Sequence, residues 1–144
     1  MLNIYKTDDK QKIKKLNKIM QNTWIDLVNP TSDEIEEVVN KTNISKNLIL
    51  KMLDSEELPR IETEDSSTLI VIDVPFIKDK KSKNKYTTLP IGIITNKNYL
   101  ITISLTETEA LNEFKNNKIK DLFNEKKTRF IIQLLFKIES LYIK

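Results

Sequence analysis

Apolar and polar residues alternate at the start of the chain, as they do along a half-buried strand. Residues 2–6 read Leu-Asn-Ile-Tyr-Lys, and this period of two predicts a short first β-strand. Residues 24–28, Trp-Ile-Asp-Leu-Val, predict a second strand that ends at the Asn-Pro of residues 29–30. Between them, apolar residues recur at every third position from Ile13 to Ile19, a spacing that fits neither a strand nor a helix.

Two helices are predicted after the second strand. Thr31 and Glu34 have the spacing of a capping box, in which each side chain accepts a hydrogen bond from the other residue's backbone N–H. Ser45 is a candidate cap for the second helix, which should end before Pro59. The buried stripes are Ile35, Val38 and Val39 in the first helix and Leu48, Ile49, Met52 and Leu53 in the second.

The middle of the chain has the pattern of strands. Residues 69–72 form a continuous apolar run, which predicts a strand covered on both faces, and Pro75 should mark its end. Residues 86–95 and 99–105 predict two further strands, joined by a hairpin at 96–98 because asparagine tolerates positive φ. Since no helix separates these strands, we expect this section of the sheet to be antiparallel.

The end of the chain is predicted to be helical, over residues 107–116 and again over 127–144. The last helix has more apolar residues than the single stripe that a surface helix normally buries. The apolar residues that could face the domain are Phe130, Ile131, Leu134, Leu135, Ile138, Leu141 and Tyr142. Ile132, Phe136 and Ile143 are left over, so we predict that they form an interface with a second partner.

These elements indicate an α/β fold of the α+β type, with a mixed sheet of about six or seven strands. Helices before and after the strand block would cover both faces and produce an α/β/α sandwich with a long C-terminal helix. We expect a domain over residues 1–126, followed by the start of a long helix at 127–144.

Composition narrows the possible chemistry. The 144 residues include no cysteine, no histidine and a single glycine, Gly92. Thiolate zinc sites, histidine catalysis and glycine-rich phosphate loops are therefore excluded, and we expect no enzyme. The net charge is +3, and the basic stretches 10–18 and 78–85 contain no aromatic residue for stacking on bases. Nucleic-acid binding is therefore not expected, and these stretches fit a solvated surface.

Two acidic clusters offer the hard oxygen ligands that Mg²⁺ prefers. They lie at residues 54–57, Asp-Ser-Glu-Glu, and at residues 62–65, Glu-Thr-Glu-Asp. The alternative interpretation is a solvated helix end followed by an exposed edge strand, because surface carboxylates usually have no ligand. Neither cluster has the spacing of an EF-hand loop.

Two individual residues are expected to have structural roles. Trp24 lies on a predicted strand and should belong to the core, with its indole N–H bonded locally. Gly92 lies inside another predicted strand, which indicates a bulge or a close approach of backbone rather than a binding site.

Five blocks of sequence, taken in order, resemble the N-terminal cytosolic domain of the CorA-type magnesium/cobalt transporter family. The blocks are residues 24–31, 53–62, 69–75, 89–95 with 99–103, and 126–130. The resemblance implies an α/β/α sandwich whose last long helix leads toward the membrane. It also implies a homopentamer with two membrane helices per subunit, a cytoplasmic location for this domain, and gating by Mg²⁺ bound between neighbouring domains.

This chain departs from the family pattern at one pair of positions. Some members carry an acidic pair where this chain has Leu50 and Lys51, and a lysine repels Mg²⁺. Asp54, Glu56 and Glu57 are the substitute metal ligands that we predict. A zinc-transporting member and a free-standing interaction module of the same fold remain alternatives. The family's Gly-Met-Asn pore motif does not occur in this sequence, and the domain by itself is expected to be a monomer or a dimer.

Overall fold

One seven-stranded sheet with helices on both faces forms the structure, a computed structural model that describes residues 1–10, 12–77, 86–116 and 127–143. The strands are β1 (Leu2–Thr7), β2 (Ile13–Leu16), β3 (Trp24–Val28), β4 (Arg60–Glu64), β5 (Ser67–Ile77), β6 (Tyr86–Thr95) and β7 (Leu100–Ser104). The helices are α1 (Ser32–Thr42), α2 (Lys46–Lys51), α3 (Glu109–Lys115) and α4 (Lys127–Ile143). The predicted fold class and strand number are confirmed.

The sheet is mixed because one of its neighbouring pairs is parallel. The strand order is β2-β1-β3-β7-β6-β5-β4. β3 and β7 run parallel, with Trp24 opposite Leu100 and Val28 opposite Ser104, whereas every other neighbouring pair is antiparallel. The predicted antiparallel section, which comprises β5, β6 and β7, is confirmed, and β4 extends it by one more antiparallel strand.

Each face of the sheet has its own apolar core. α1 and α2 cover one face, and the buried residues there are Ile25, Leu27, Ile35, Val38, Ile44, Leu48, Ile49, Met52, Leu69, Val71, Ile94, Ile101 and Ile103. α3 and α4 cover the other, where the buried residues are Tyr5, Ile13, Trp24, Val74, Ile91, Ile93, Leu100, Ala110, Leu111, Phe114, Phe130, Leu134 and Ile138. This arrangement is the predicted α/β/α sandwich.

The first two helices begin directly after the predicted cap residues, Thr31 and Ser45. At α1 the capping box is present: Glu34 N donates to Thr31 Oγ1 at 3.2 Å, and Thr31 N donates to Glu34 Oε1 at 2.9 Å. At α2 Ser45 occupies the predicted N-cap position, but its side chain forms no capping hydrogen bond. This helix has only 6 residues, so its position depends on packing against the sheet.

Three strand predictions need correction. The unassigned stretch after Ile13 contains β2, an edge strand in which only Ile13 is buried. β5 continues through Pro75 to Ile77, because β4 pairs with β5 only as far as Val71 and a sheet tolerates proline where one side of a strand is unpaired. In the 69–72 run, Ile70 and Ile72 are only partly buried.

The hairpin between β6 and β7 is present, but not for the expected reason. None of residues 96–98 has positive φ. Instead, Asn96 Oδ1 accepts hydrogen bonds from Asn98 N and Tyr99 N, both at 3.0 Å. The asparagine side chain thus supplies the turn's acceptor itself.

Gly92 lies where helix α2 comes closest to the sheet. A Cβ atom placed on Gly92 would lie 2.6 Å from Met52 Cγ and 2.9 Å from Ile103 Cγ2. Both distances are shorter than a carbon–carbon contact allows. A close approach at Gly92 is therefore present, but the expected approach of backbone is wrong, because the approaching groups are the side chains of Met52 and Ile103.

The variant Gly92→Ala should lower the free energy of unfolding by about 1–3 kcal/mol, because an added methyl group overpacks this contact. Urea denaturation of the variant and the parent protein measures the change. Met52→Ala in the same background removes one of the two colliding groups, so the double variant should lose less than the sum of the single changes. A Gly92→Ala protein as stable as the parent would contradict the described packing.

Candidate functional site

Helix α4 packs on the sheet through a stripe that repeats every four residues. Phe130 and Leu134 are fully buried, and Ile138 is nearly so. Ile131 and Leu141 pack beside them and are partly buried. The predicted packing of α4 on the domain is therefore present. The opposite side of the helix is left in contact with solvent.

The opposite side of α4 carries large exposed apolar residues, with the charged residues Arg129 and Glu139 at its two ends. Ile132 is 48% exposed and Phe136 is 67% exposed, so the prediction that they point away from the core is confirmed. The side chain of Ile143, the third predicted interface residue, lies outside the described residues.

Two residues that we expected to face the domain do not. Leu135 is 43% exposed and Tyr142 is 53% exposed. Leu135 follows a buried residue, Leu134, and one residue step turns its side chain by about 100° around the helix. The Tyr142 side chain contacts the domain through its hydroxyl, which donates a hydrogen bond to Asp73 O at 3.0 Å.

We call Ile132, Leu135 and Phe136 the outer face of α4. An isolated exposed apolar residue is ordinary, but adjacent large ones on a single helix are typical of a surface that another chain or segment covers. Two polar contacts fasten the helix that carries them. Lys137 forms an ion pair with Glu113 on α3, and Lys127 Nζ donates to Lys97 O at 2.8 Å.

An aromatic cluster connects α4 to the sheet. The ring centroid of Trp24 lies 5.0 Å from that of Phe130 and 4.9 Å from that of Tyr5. Phe114 on α3 lies 5.1 Å from Phe130 in an edge-to-face arrangement, a favoured geometry for ring pairs. The prediction that Trp24 belongs to the core is confirmed.

A buried chain of polar contacts runs beside this cluster. Trp24 Nε1 donates to Thr102 Oγ1 at 2.8 Å, and Thr102 Oγ1 donates to Asp26 Oδ1 at 2.6 Å. Asp26 is completely buried, and its other oxygen, Oδ2, lies 2.5 Å from Lys115 Nζ. The Lys115 ammonium and the Asp26 carboxylate therefore form a buried ion pair. Burial, with the charges of Asp26 and Glu107, raises the pKa of Tyr5 to about 12.

A second charged cluster ties α2 to the edge strand β4. Lys51 Nζ forms an ion pair with Glu62 Oε1, Arg60 Nε lies 3.2 Å from Glu62 Oε2, and Arg60 Nη1 lies 2.5 Å from Glu57 Oε2. Hydrogen bonds from Lys51 and then from Arg60 lower the pKa of the Glu62 carboxyl. We call these four residues the α2–β4 charge cluster.

The predicted metal ligands lie in the turn that directly follows α2. Asp54 and Glu56 are exposed, and Asp54 Oδ1 accepts a hydrogen bond from Glu56 N at 2.9 Å. Glu57 points to Arg60 instead. Within the described part of the chain, no group of three or more acidic residues is placed to hold a metal ion. Asp54, Glu56 and Glu57 therefore remain a prediction, and any site built on them needs ligands from elsewhere.

The other charged stretches agree with the solvated interpretation where they are described. The acidic residues 62–65 lie on and just after β4, an edge strand of the sheet, and Glu64 Oε1 accepts from Asn47 Nδ2 at 3.1 Å. In the first basic stretch, Lys14 Nζ lies 3.6 Å from Asp8 Oδ2. The second, residues 78–85, lies outside the described residues.

Comparison with known proteins decides the family. The profile of the family described as "CorA-like Mg2+ transporter protein" matches residues 20–144. The chain belongs to this CorA-like family. It is a family of transporters, and the resemblance deduced from the five sequence blocks is confirmed. Among the described helices of this CorA-like chain, none is both long and apolar enough to cross a bilayer.

The proteins to which this CorA-like chain is similar include a cobalt/magnesium transport protein. The cobalt/magnesium transport protein CorA of Methanocaldococcus jannaschii is 27% identical over 110 residues, which make up 76% of this chain and 32% of that protein. The solved soluble domain of CorA from the same organism superposes with a TM-score of 0.78 at 23% identity, over 99% of this chain and 57% of that one. The chain thus spans about a third of the curated relative's length, and the structural match establishes the shared fold.

One further similarity lies outside the CorA-like family. The tRNA modification GTPase MnmE of Mesoplasma florum is 30% identical over 134 residues, covering 82% of this chain but only 28% of that protein. A phosphate-binding loop of the GTPase kind needs several glycines at fixed spacing, and this chain has only Gly92. The match does not include a loop of that kind.

Proposed function

We propose that this CorA-like chain is the cytosolic N-terminal domain of a divalent-cation transporter that carries Mg²⁺ or Co²⁺. It would lie at the cytoplasmic side of the cell membrane, with α4 leading toward membrane helices. The observation that carries the proposal is the outer face of α4, where Ile132 and Phe136 are exposed on a helix whose other side packs on the sheet. The family match and the greater length of the curated relative support it.

The outer face of α4 would be covered in the complete protein. Burying apolar side chains of this size is favourable by about 25 cal/mol per Å² removed from water, so they stabilise an assembly more than a free domain. The covering surface would be the polypeptide that follows α4 or a neighbouring subunit of a homopentamer. The domain by itself would then be a monomer or a dimer.

Regulation by Mg²⁺ is the second part of the proposal. Mg²⁺ keeps several of its waters and takes only one or two carboxylates from a protein surface. Exposed carboxylates of Asp54 and Glu56, with Glu57 beside them, could supply one half of a site, and the neighbouring subunit would supply the other. Bound Mg²⁺ would then favour the closed ring of subunits, because it binds that state more tightly than the open one.

Transport by the longer protein that contains this domain tests the proposal. Reconstituted in liposomes, it should carry Mg²⁺ or Co²⁺ down a gradient, and the flux should fall as Mg²⁺ rises on the side that faces this domain. Flux of Zn²⁺ alone would favour the zinc-transporting alternative. No divalent flux, or a protein with no membrane segment, would favour a free-standing interaction module.

Changes on the outer face of α4 provide a matched test of assembly. The double change Ile132→Asp and Phe136→Asp should break up the pentamer, as measured by native mass spectrometry, because it places two charges in an apolar interface. The same changes in the 144-residue chain should leave it folded, since both side chains are exposed there. A pentamer that survives them would show that α4 uses another surface.

A further inference from the structure

The two edges of the sheet carry opposite charges. β2 forms one edge and β4 forms the other. Residues 12–18, which contain β2, include four lysines and no acidic residue, whereas residues 54–65, which contain β4 and the turn before it, include six acidic residues and one basic residue. We call these two segments the basic edge and the acidic edge. The net charge of the whole chain is only +3, so the separation of charge is a local property.

Local ion pairs reduce these charges but do not cancel them. The α2–β4 charge cluster has two positive and two negative side chains. The negative surplus of the acidic edge therefore comes from the remaining carboxylates, Asp54, Glu56, Glu64 and Asp65. On the basic edge, Lys14 Nζ lies 3.6 Å from Asp8 Oδ2, and Lys15 is exposed.

Both edge strands have a side that can accept another strand. In the described part of the chain, β2 is bonded only to β1 and β4 only to β5. The outward N–H and C=O groups of an edge strand are a template for a further strand. Ile61, in the middle of β4, is 73% exposed and would be covered by one. Charged side chains normally protect an edge, but they repel only an edge of the same sign.

Strand direction allows the two edges to pair between copies of the chain. β2 runs parallel to β3, since both are antiparallel to β1, and β3 runs parallel to β7. Three antiparallel pairs then lead from β7 to β4, so β2 and β4 run in opposite directions. A second copy placed beside the first in the same orientation therefore sets its β2 antiparallel to β4, with the helices of both copies on the same sides.

The side chains also match in this arrangement. Glu62 and Glu64 lie on the face that α2 covers, since they contact side chains of that helix. Lys14 lies on the same face, because its neighbour Ile13 faces the core under α3 and α4 and side chains alternate along a strand. Directly opposite residues of an antiparallel pair share a face, so lysine meets glutamate. Pairing β4 with β4, or β2 with β2, would instead place like charges opposite each other, which is destabilising.

We infer that the acidic edge of one chain pairs with the basic edge of a second copy, as an antiparallel extension of the sheet. The contact joins two different surfaces, so it can repeat around a ring of subunits or along an open row. With 4 residues in β2 and 5 in β4, it belongs to the small, weak interfaces, and the isolated chain should be mainly monomeric at low concentration. The inference goes beyond the proposed function, because no residue of α4 takes part.

A charge-swap experiment on the 144-residue chain tests the pairing. The basic-edge variant carries Lys14→Glu and Lys15→Glu, and the acidic-edge variant carries Thr63→Lys and Glu64→Lys. Sedimentation velocity at low salt and rising concentration measures self-association. Each variant alone should self-associate about tenfold more weakly than the parent, because like charges then face each other. An equal mixture of the two should associate as the parent does, since every contact between the two different chains again joins opposite charges. Added salt should weaken the association of the parent.

Lys41→Glu with Lys97→Glu is the matched control. It makes the same change in net charge as the basic-edge variant, at two exposed lysines on α1 and in the hairpin between β6 and β7. It should associate within about twofold of the parent, as expected for distant, screened charges. Three results would overturn the inference: no self-association of the parent up to about 1 mM, a mixture that associates no better than its separate components, or a loss in the control as large as in the edge variants.

Chemical cross-linking then locates the contact. The chain has no cysteine, so Lys15→Cys and Thr63→Cys each introduce a single thiol, at an exposed position on one edge. A short bismaleimide should join the two variants in a mixture faster than it joins either variant to itself. Faster linking of Thr63→Cys to itself would mean that two acidic edges meet, and it would overturn the inference. So would loss of the mixed product on adding Ile132→Asp and Phe136→Asp, since the outer face of α4 would then carry the association.

Discussion

Replacing Lys115 by methionine should destabilise the protein by about 3–5 kcal/mol, because the change leaves a buried carboxylate without its counter-charge. Asp26 has no exposure to water, and Lys115 Nζ lies 2.5 Å from its Oδ2. Thr102 still donates to Asp26 Oδ1, but one neutral hydrogen bond cannot replace an ammonium. Urea denaturation followed by circular dichroism measures the loss.

A double variant separates the unpaired charge from the lost contact. Asp26→Leu together with Lys115→Met removes both charges, and such replacements are often neutral or stabilising. The double variant should therefore recover much of the stability that Lys115→Met loses. If Lys115→Met costs only the ~0.2–1 kcal/mol of an exposed ion pair, the pair is not buried as described.

Phe130→Ala should lower the free energy of unfolding by about 3–5 kcal/mol, because it opens a cavity in the core beneath α4. Phe130 is fully buried, and its ring contacts those of Trp24 and Phe114 at centroid distances of 5.0 and 5.1 Å. Thermal and urea unfolding of the 144-residue chain measure the loss.

Phe136→Ala is the matched control, since it makes the same chemical change six residues further along the same helix. Phe136 is 67% exposed, so the expected change lies within about 0.5 kcal/mol, as for other surface positions. An equal loss in both variants would mean that the outer face of α4 is covered in solution. Repeating the measurement at several protein concentrations would then show whether self-association covers it.

The sequence predicted best those features that depend on neighbours along the chain. The capping box of Thr31 and Glu34 needs only two residues three positions apart, and it is present as expected. The excess of apolar residues on the last helix likewise predicted the exposure of Ile132 and Phe136. Leu135 was assigned to the wrong side because apolar character alone does not say where a buried stripe ends.

Features that depend on distant neighbours could not be predicted. The pairing of Asp26 with Lys115 requires the position of α3 over β3, and no pattern along the chain distinguishes either residue. The continuation of β5 through Pro75 depends on how far β4 extends beside it. In the candidate site the acidic turn was identified, but not the pairing of Lys51 and Arg60 with Glu62, which joins a helix to an edge strand.

The parallel pair of β3 and β7 has a consequence for the order in which the protein forms during synthesis. β3 leaves the ribosome early, but its partner β7 ends only at Ser104. Strands β4 to β7 pair with their neighbours along the chain and can form as hairpins during synthesis. In contrast, the edge of β3 that pairs with β7 stays unpaired until β7 has been synthesised. Closing such a long loop is slow, and the waiting edge of β3 is the part of the nascent chain most exposed to wrong pairing and to chaperones.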